Sequence, residues 1–125
     1  MNPTSLALII ASVLLTSVGQ LLLKLGASAP PIRQALSTGD AVAIASAALT
    51  SPFLIAGLAI YGLATLVWVV VLSKVDLSLA YPFVSLGFVA VLFLSVTFLG
   101  ETLTPLRLAG SLIIAIGCVM VARSG

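Results

Sequence analysis

Four polar residues recur every fourth position in the first apolar stretch of the chain, and we call them the polar stripe. They are Ser12, Thr16, Gln20 and Lys24. This spacing places all four on one face of an α-helix. Because an unpaired amide in hydrocarbon is costly, we expect the face to line a helix bundle or a wet cavity. Hydrogen bonding between helices is the alternative for the stripe, and anchoring at the membrane interface is the alternative for Lys24.

A second face in the third apolar stretch mixes hydroxyl and aromatic groups. Its members are Ser78, Tyr81, Ser85, Leu92 and Ser95. Tyr81 is either a binding residue or an aromatic anchor at the membrane interface. We expect Pro82 to lie in the first helical turn, where proline is tolerated because that backbone N–H has no intrahelical partner.

Small residues mark the fourth apolar stretch. Gly110 and Gly117 lie seven positions apart, and small residues let helix backbones approach closely. We therefore predict a helix–helix interface there, within one chain or between chains. Tyr61 and Trp68 also share a helical face, for which packing is the expected role and cavity lining the alternative.

The composition excludes several kinds of chemistry. With no histidine and one cysteine, the chain cannot form a histidine-dependent triad, a metal cluster or an internal disulfide. No nucleophile–base pair is evident, so we expect neither an enzyme nor a cofactor. The net charge of +2 does not provide the basic surface that nucleic-acid binding requires. The three acids, Asp40, Asp76 and Glu101, all fall in connections, which disfavours a proton-driven antiporter with a buried carboxylate.

The elements that position these residues are membrane-spanning helices. The chain is 62% hydrophobic and 6% charged, with a mean hydropathy of +1.37, whereas soluble domains carry about 25% charged residues. A span needs about 20 apolar residues. Four stretches qualify, at residues 4–23, 52–72, 77–99 and 105–122. The sequence therefore predicts one all-α, polytopic membrane domain.

The ends of the stretches carry polar and capping residues. Lys24 and Gly26 are expected to close the first, Gly100 and Glu101 the third, and Thr104–Pro105 is typical of a helix start. In the long connection 27–51, Ser37 and Asp40 fit a capping box. We expect one short interfacial helix within residues 37–49, acting as a spacer or as a lid over a lipid-facing groove.

Four motifs carry a resemblance to a known family. They are Gly19–Lys24, Val75–Leu86, Leu99–Leu106 and Gly110–Gly117. Together they resemble the four-span small multidrug resistance and EamA-type transporters of the drug/metabolite transporter superfamily. The pattern is most similar to the small flippase subunits that move aminoarabinose-phosphoundecaprenol across the bacterial inner membrane.

The resemblance implies a half-transporter that pairs as a homodimer or with a paralogous four-span subunit. It implies that Tyr81 lines the substrate path, and that Thr16 replaces the proton-coupled glutamate of the multidrug members. We therefore expect a flippase subunit for an anionic lipid such as a polyprenyl-phosphate-linked sugar. Lys24 and Arg107 would meet the phosphate, and Ser12, Thr16, Gln20, Tyr81 and Ser85 would line the path.

Alternatives remain at this point. Arg107 can instead pair with Glu101, leaving Glu101 and Pro82 with structural roles alongside the two glycines. The chain can also be a small-solute or multidrug exporter of the same fold, or a membrane assembly partner that transports nothing. A neighbouring gene for a polyprenyl-lipid glycosyltransferase would favour the flippase.

Overall fold

The computed structural model describes residues 1–125, and every regular element in it is helical. Seven α-helices follow one another, with a single 3₁₀ turn at Tyr81–Phe83. The helices are α1 (Pro3–Ala27), α2 (Pro30–Thr38), α3 (Ala41–Thr50), α4 (Pro52–Leu72), α5 (Leu77–Ala80), α6 (Val84–Phe98) and α7 (Pro105–Ser124).

Four helical segments are long and apolar enough to cross a membrane, as predicted. They are Pro3–Ala27, Pro52–Leu72, Leu77–Phe98 and Pro105–Ser124. The second has the predicted bounds, while the first and last are each a few residues longer than expected. The all-α fold class is confirmed, and the chain has the character of a multi-pass membrane protein.

Caps define where two of the spans begin. The Thr104 hydroxyl accepts a hydrogen bond from the Arg107 backbone N–H at 3.2 Å, which confirms the predicted start of α7. Ser51 lies between α3 and α4, and its hydroxyl accepts from the Leu54 N–H at 3.4 Å. Gly26, by contrast, does not end α1: it is buried inside the last turn, and a Cβ there would lie 2.7 Å from the Leu54 side chain.

The long connection contains the predicted short helix, which is α3, and a second helix, α2, that the sequence analysis did not predict. Pro30 and Pro31 start α2, and Gly39 ends it in the left-handed conformation (φ 67°). The predicted capping box is wrong. Ser37 lies inside α2 and donates to the Gln34 carbonyl, whereas Asp40 alone caps α3 by accepting from the Val42 N–H.

The third span is not one uninterrupted α-helix. Pro82 lies in the 3₁₀ turn between α5 and α6, about a turn later than the first-turn position expected from the sequence. Because proline has no N–H to donate, the carbonyl four residues earlier would lose its α-helical hydrogen bond, and the short 3₁₀ turn accommodates this break in the pattern.

The spans alternate in direction, with α1 between α4 and α6, and α7 packed on α6. One end of the bundle holds Asn2, Lys74 and Asp76 around one surface depression, and Gly125 lies against Leu79 there. The opposite end holds Lys24 and Glu101. Four consecutive spans that each cross the membrane once must place the two ends of the chain and the second connection on one side, and the first and third connections on the other.

The apolar core is small and lies toward the end of the bundle that holds both termini. It consists of Ile9, Val13, Val71, Ala80, Phe83 and Cys118. Only 17 of the 125 residues are buried within the chain, so most of the apolar surface must be covered by lipid or by another subunit.

Candidate functional site

Two cavities follow one another along the polar stripe, and we call them the central cavity and the end cavity. The central cavity has a volume of about 150 Å³ and lies between α1, α4 and α6. It is lined by Ser12, Val13, Thr16, Tyr61, Ala64, Thr65, Trp68, Val84 and Gly87. Since Thr16 lies near the middle of α1, this cavity lies at the depth of the membrane interior.

The hydroxyl groups that line the central cavity donate hydrogen bonds to backbone carbonyls. Ser12 donates to the Ala64 carbonyl across the α1–α4 contact at 3.0 Å, and Thr16 donates to Ser12 within α1 at 2.9 Å. Thr65 donates to the Tyr61 carbonyl at 2.9 Å. The hydroxyl oxygens thus keep acceptor capacity, and the lining combines these few hydroxyls with aromatic and aliphatic side chains and carries no charge.

The end cavity carries the charges. Its volume is about 250 Å³, and its lining residues are Ser17, Gln20, Leu21, Lys24, Val91, Leu94, Ser95, Leu99 and Glu101. Lys24 and Glu101 therefore face the same space from α1 and from the segment after α6. Gly100 makes this possible, because its left-handed conformation (φ 65°) turns the chain at the end of α6.

All four residues of the polar stripe line one of these cavities. Ser12 also makes the helix–helix hydrogen bond that was the alternative for this face. The stripe thus changes along its length, from hydroxyls held between packed helices to an exposed amide and ammonium at the end of α1.

The other three predicted binding residues lie outside both cavities. Tyr81 is 63% exposed, in keeping with the aromatic-anchor alternative. Ser85 donates to the Pro82 carbonyl and lies beside the Cys118 thiol, within the α6–α7 contact. Arg107 is exposed and its guanidinium donates to the Thr102 carbonyl at 3.4 Å. A single chain therefore does not bring these three residues to the polar stripe.

The cavities include residues for which the sequence analysis favoured a different role. Tyr61 and Trp68, whose expected role was packing, line the central cavity together with Thr65. Their seven-residue spacing was the available signal, but it does not show which face of α4 meets α1. Glu101, expected to be structural, lines the end cavity.

The close helix contact in this chain lies elsewhere than at Gly110 and Gly117. A Cβ at Gly57 would lie 3.1 Å from the Gly19 carbonyl oxygen, so α1 and α4 cross backbone to backbone beside the cavities. A Cβ at Gly110 or Gly117 would meet no atom within 4 Å. No helix of the same chain therefore packs against these two glycines, and of the two interfaces predicted for them only the one between chains remains.

No protein-family model, curated protein or solved structure matches this chain. The resemblance to small multidrug resistance and EamA-type transporters remains a prediction.

Proposed function

We propose that this chain is a subunit of a transporter that moves an anionic lipid head group, of the polyprenyl-phosphate or lipid-linked-sugar type, across the bacterial inner membrane. The observation that carries the proposal is the continuous course of the polar stripe. It lines a cavity at the middle of α1 and a second, charged cavity at the end of α1. Polar surface at membrane depth is costly and is typical of a substrate path.

The two cavities suit different parts of such a lipid. Lys24 offers an ammonium to a phosphate at the end of the bundle, where charge-assisted hydrogen bonds are strong. The central cavity offers hydroxyl acceptors beside Tyr61 and Trp68 and no charge, which suits an uncharged, hydroxyl-bearing group. Acyl or prenyl tails stay in the surrounding lipid, so only the head group has to enter.

The proposal includes a second subunit, either another copy or a paralogous four-span chain. Cavities of about 150 and 250 Å³ are smaller than the ~300–1,000 Å³ typical of small-molecule sites. A partner on the open side of the bundle enlarges the path, and it can bring Tyr81, Ser85 or Arg107 of either chain closer to the polar stripe.

The test is reconstitution of the full chain in vesicles containing radiolabelled polyprenyl phosphate. A phosphatase added outside releases label only from the outer leaflet, so release rises from about half of the label toward all of it when the lipid crosses. Vesicles without protein are the first control. Lys24→Met should lower both lipid binding and release, and Lys24→Arg should retain part of both.

Other outcomes separate the alternatives. Ethidium transport without lipid movement favours a small-solute exporter. A folded chain that neither binds nor moves the labelled lipid contradicts the proposal and favours an assembly partner, which the uncovered glycine face of α7 would suit.

A further inference from the structure

The helix α3 presents an apolar face that nothing in the chain covers. That face consists of Ala41, Val42, Ala45, Ser46, Leu49 and Thr50. No residue of α3 is buried, and the two largest side chains of the face, Val42 and Leu49, are 76% and 75% exposed. A surface of this kind next to water is unfavourable, so a partner must cover it.

The opposite face of α3 is already occupied. Ala43, Ile44, Ala47 and Ala48 are half-buried, and α3 packs against α2 and the start of α4. Its ten residues give a length of about 15 Å, half of the ~30 Å hydrocarbon thickness. None of the ten carries a formal charge.

The position of α3 in the chain indicates which medium surrounds its uncovered face. Ser51 alone separates α3 from α4, and it ends one helix and begins the other. The first turn of α4 exposes Phe53 and Ile55, which belong to a segment apolar enough to span a membrane. The helix α3 is therefore joined, through one residue, to the exposed apolar start of a candidate membrane span.

Charged residues mark the level of the lipid head groups at this end of the bundle. Lys24 lies in the last turn of α1, and Arg33 lies on the exposed side of α2. Cations there meet lipid phosphates. Asp40, at the start of α3, is exposed and remains at the polar boundary.

We propose that α3 inserts into one membrane leaflet, with its Val42–Leu49 face against acyl chains, while α2 lies among the lipid head groups. The occupant of this face is the lipid bilayer itself. The inference rests on α2, α3 and their junction with α4, and it holds whether or not the chain transports a lipid.

The test measures which medium surrounds the face in vesicles of phosphatidylcholine and phosphatidylglycerol. In a Cys118→Ala background of the full chain, a nitroxide is attached to Leu49→Cys or, separately, to Val42→Cys. Gln34→Cys, exposed on α2, is the matched control. Collision of the nitroxide with oxygen reports hydrocarbon, and collision with a nickel chelate reports water.

We expect oxygen collisions to exceed nickel-chelate collisions at both α3 positions, with the opposite ratio at position 34. Two results overturn the inference. Dominant nickel-chelate collisions at positions 42 and 49 place the face in water. Low collision rates with both reagents show that protein covers it. Either α3 position alone suffices if the other variant does not fold.

Discussion

At the scale of single residues, the main question is whether Lys24 anchors α1 at the membrane interface or binds a lipid phosphate. Its ammonium faces the end cavity together with Gln20 and Glu101, although a flexible lysine near the end of a span can also serve as an interfacial anchor. A lysine that contacts a phosphate stabilises the bound lipid, whereas an anchoring lysine stabilises only the inserted helix. The two roles therefore predict different losses on substitution.

We predict that Lys24→Met weakens binding of polyprenyl phosphate roughly 10- to 150-fold, the equivalent of about 1.5–3 kcal/mol for a charge-assisted contact. Lys24→Arg should retain part of the affinity. The measurement is lipid binding by the purified variants at matched folding. Unchanged affinity in Lys24→Met would reduce the residue to an anchor and move the phosphate site toward Arg33 or Arg107.

Thr16 and Asp40 bear on whether transport requires an acidic side chain that carries a proton. The Thr16 hydroxyl donates a hydrogen bond to the Ser12 carbonyl in the central cavity. Unlike the carboxyl group of a glutamate, this hydroxyl cannot bind and release a proton during transport. Asp40 accepts from the Val42 N–H as a cap of α3, a role that asparagine also fills.

We therefore predict that Asp40→Asn transports like the parent chain, whereas Asp40→Ala loses about 1 kcal/mol of helix stability. Phosphatase-release assays and thermal unfolding of both variants measure this. Loss of transport in a stable, folded Asp40→Asn protein would contradict the prediction.

At the scale of helices, local sequence predicted the spans well because apolar length and capping residues act within one segment. Thr104–Pro105 is one such signal, and the bounds of α4 are another. In the connection, the short helix α3 was predicted but the helix α2 and the capping box were not predicted correctly. Pro30–Pro31 and Gly39 mark the two ends of α2, and that helix places Ser37 in its last turn.

Which helices pair could not be predicted in the same way. Gly19 and Gly57 permit the α1–α4 crossing, but nothing in either helix alone specifies the other. The lining of the central cavity by Tyr61 and Trp68 depends on that crossing, and so does the hydrogen bond from Ser12 to Ala64. The face of the polar stripe was therefore predictable, and the wall opposite it was not.

The α1–α4 crossing yields a stability prediction. Gly57→Leu places side-chain atoms where the Gly19 carbonyl and Leu23 already lie at about 3.1 Å from a Cβ, and such overpacking costs about 1–3 kcal/mol. Gly62→Leu on the same helix is the control, because a Cβ there meets nothing within 4 Å. Unfolding in detergent with dodecyl sulfate compares the two, and equal stability would contradict the crossing.

At the scale of the whole molecule, α7 is the span whose glycine face has no packing partner within the chain. It packs on α6 with Ser111 and Cys118 buried, while Gly110 and Gly117 have open space beside them. Glycines on an uncovered helix face allow another helix to approach closely. This is the surface by which we expect two subunits to associate.

We predict that Gly110→Leu with Gly117→Leu weakens this association without destabilising the single chain, since both side chains enter open space. Sedimentation in detergent and crosslinking in membranes measure it, with Gly62→Leu as the control for an added leucine. If the double variant assembles and functions like the parent, the interface lies elsewhere.

The central claim is that the polar stripe lines a wet path that a phosphate head group enters. In the Cys118→Ala background, Thr16→Cys and Gln20→Cys place thiols in the central and end cavities, and Leu14→Cys places one on the exposed face of α1. A charged thiosulfonate reagent reacts only with thiols that water reaches.

Labelling of these variants in vesicles, with and without polyprenyl phosphate, is the most direct test. We predict that positions 16 and 20 react while position 14 does not, and that the lipid slows the reaction at position 20. Equal inertness at all three positions, or labelling at position 20 that polyprenyl phosphate leaves unchanged, would contradict the claim.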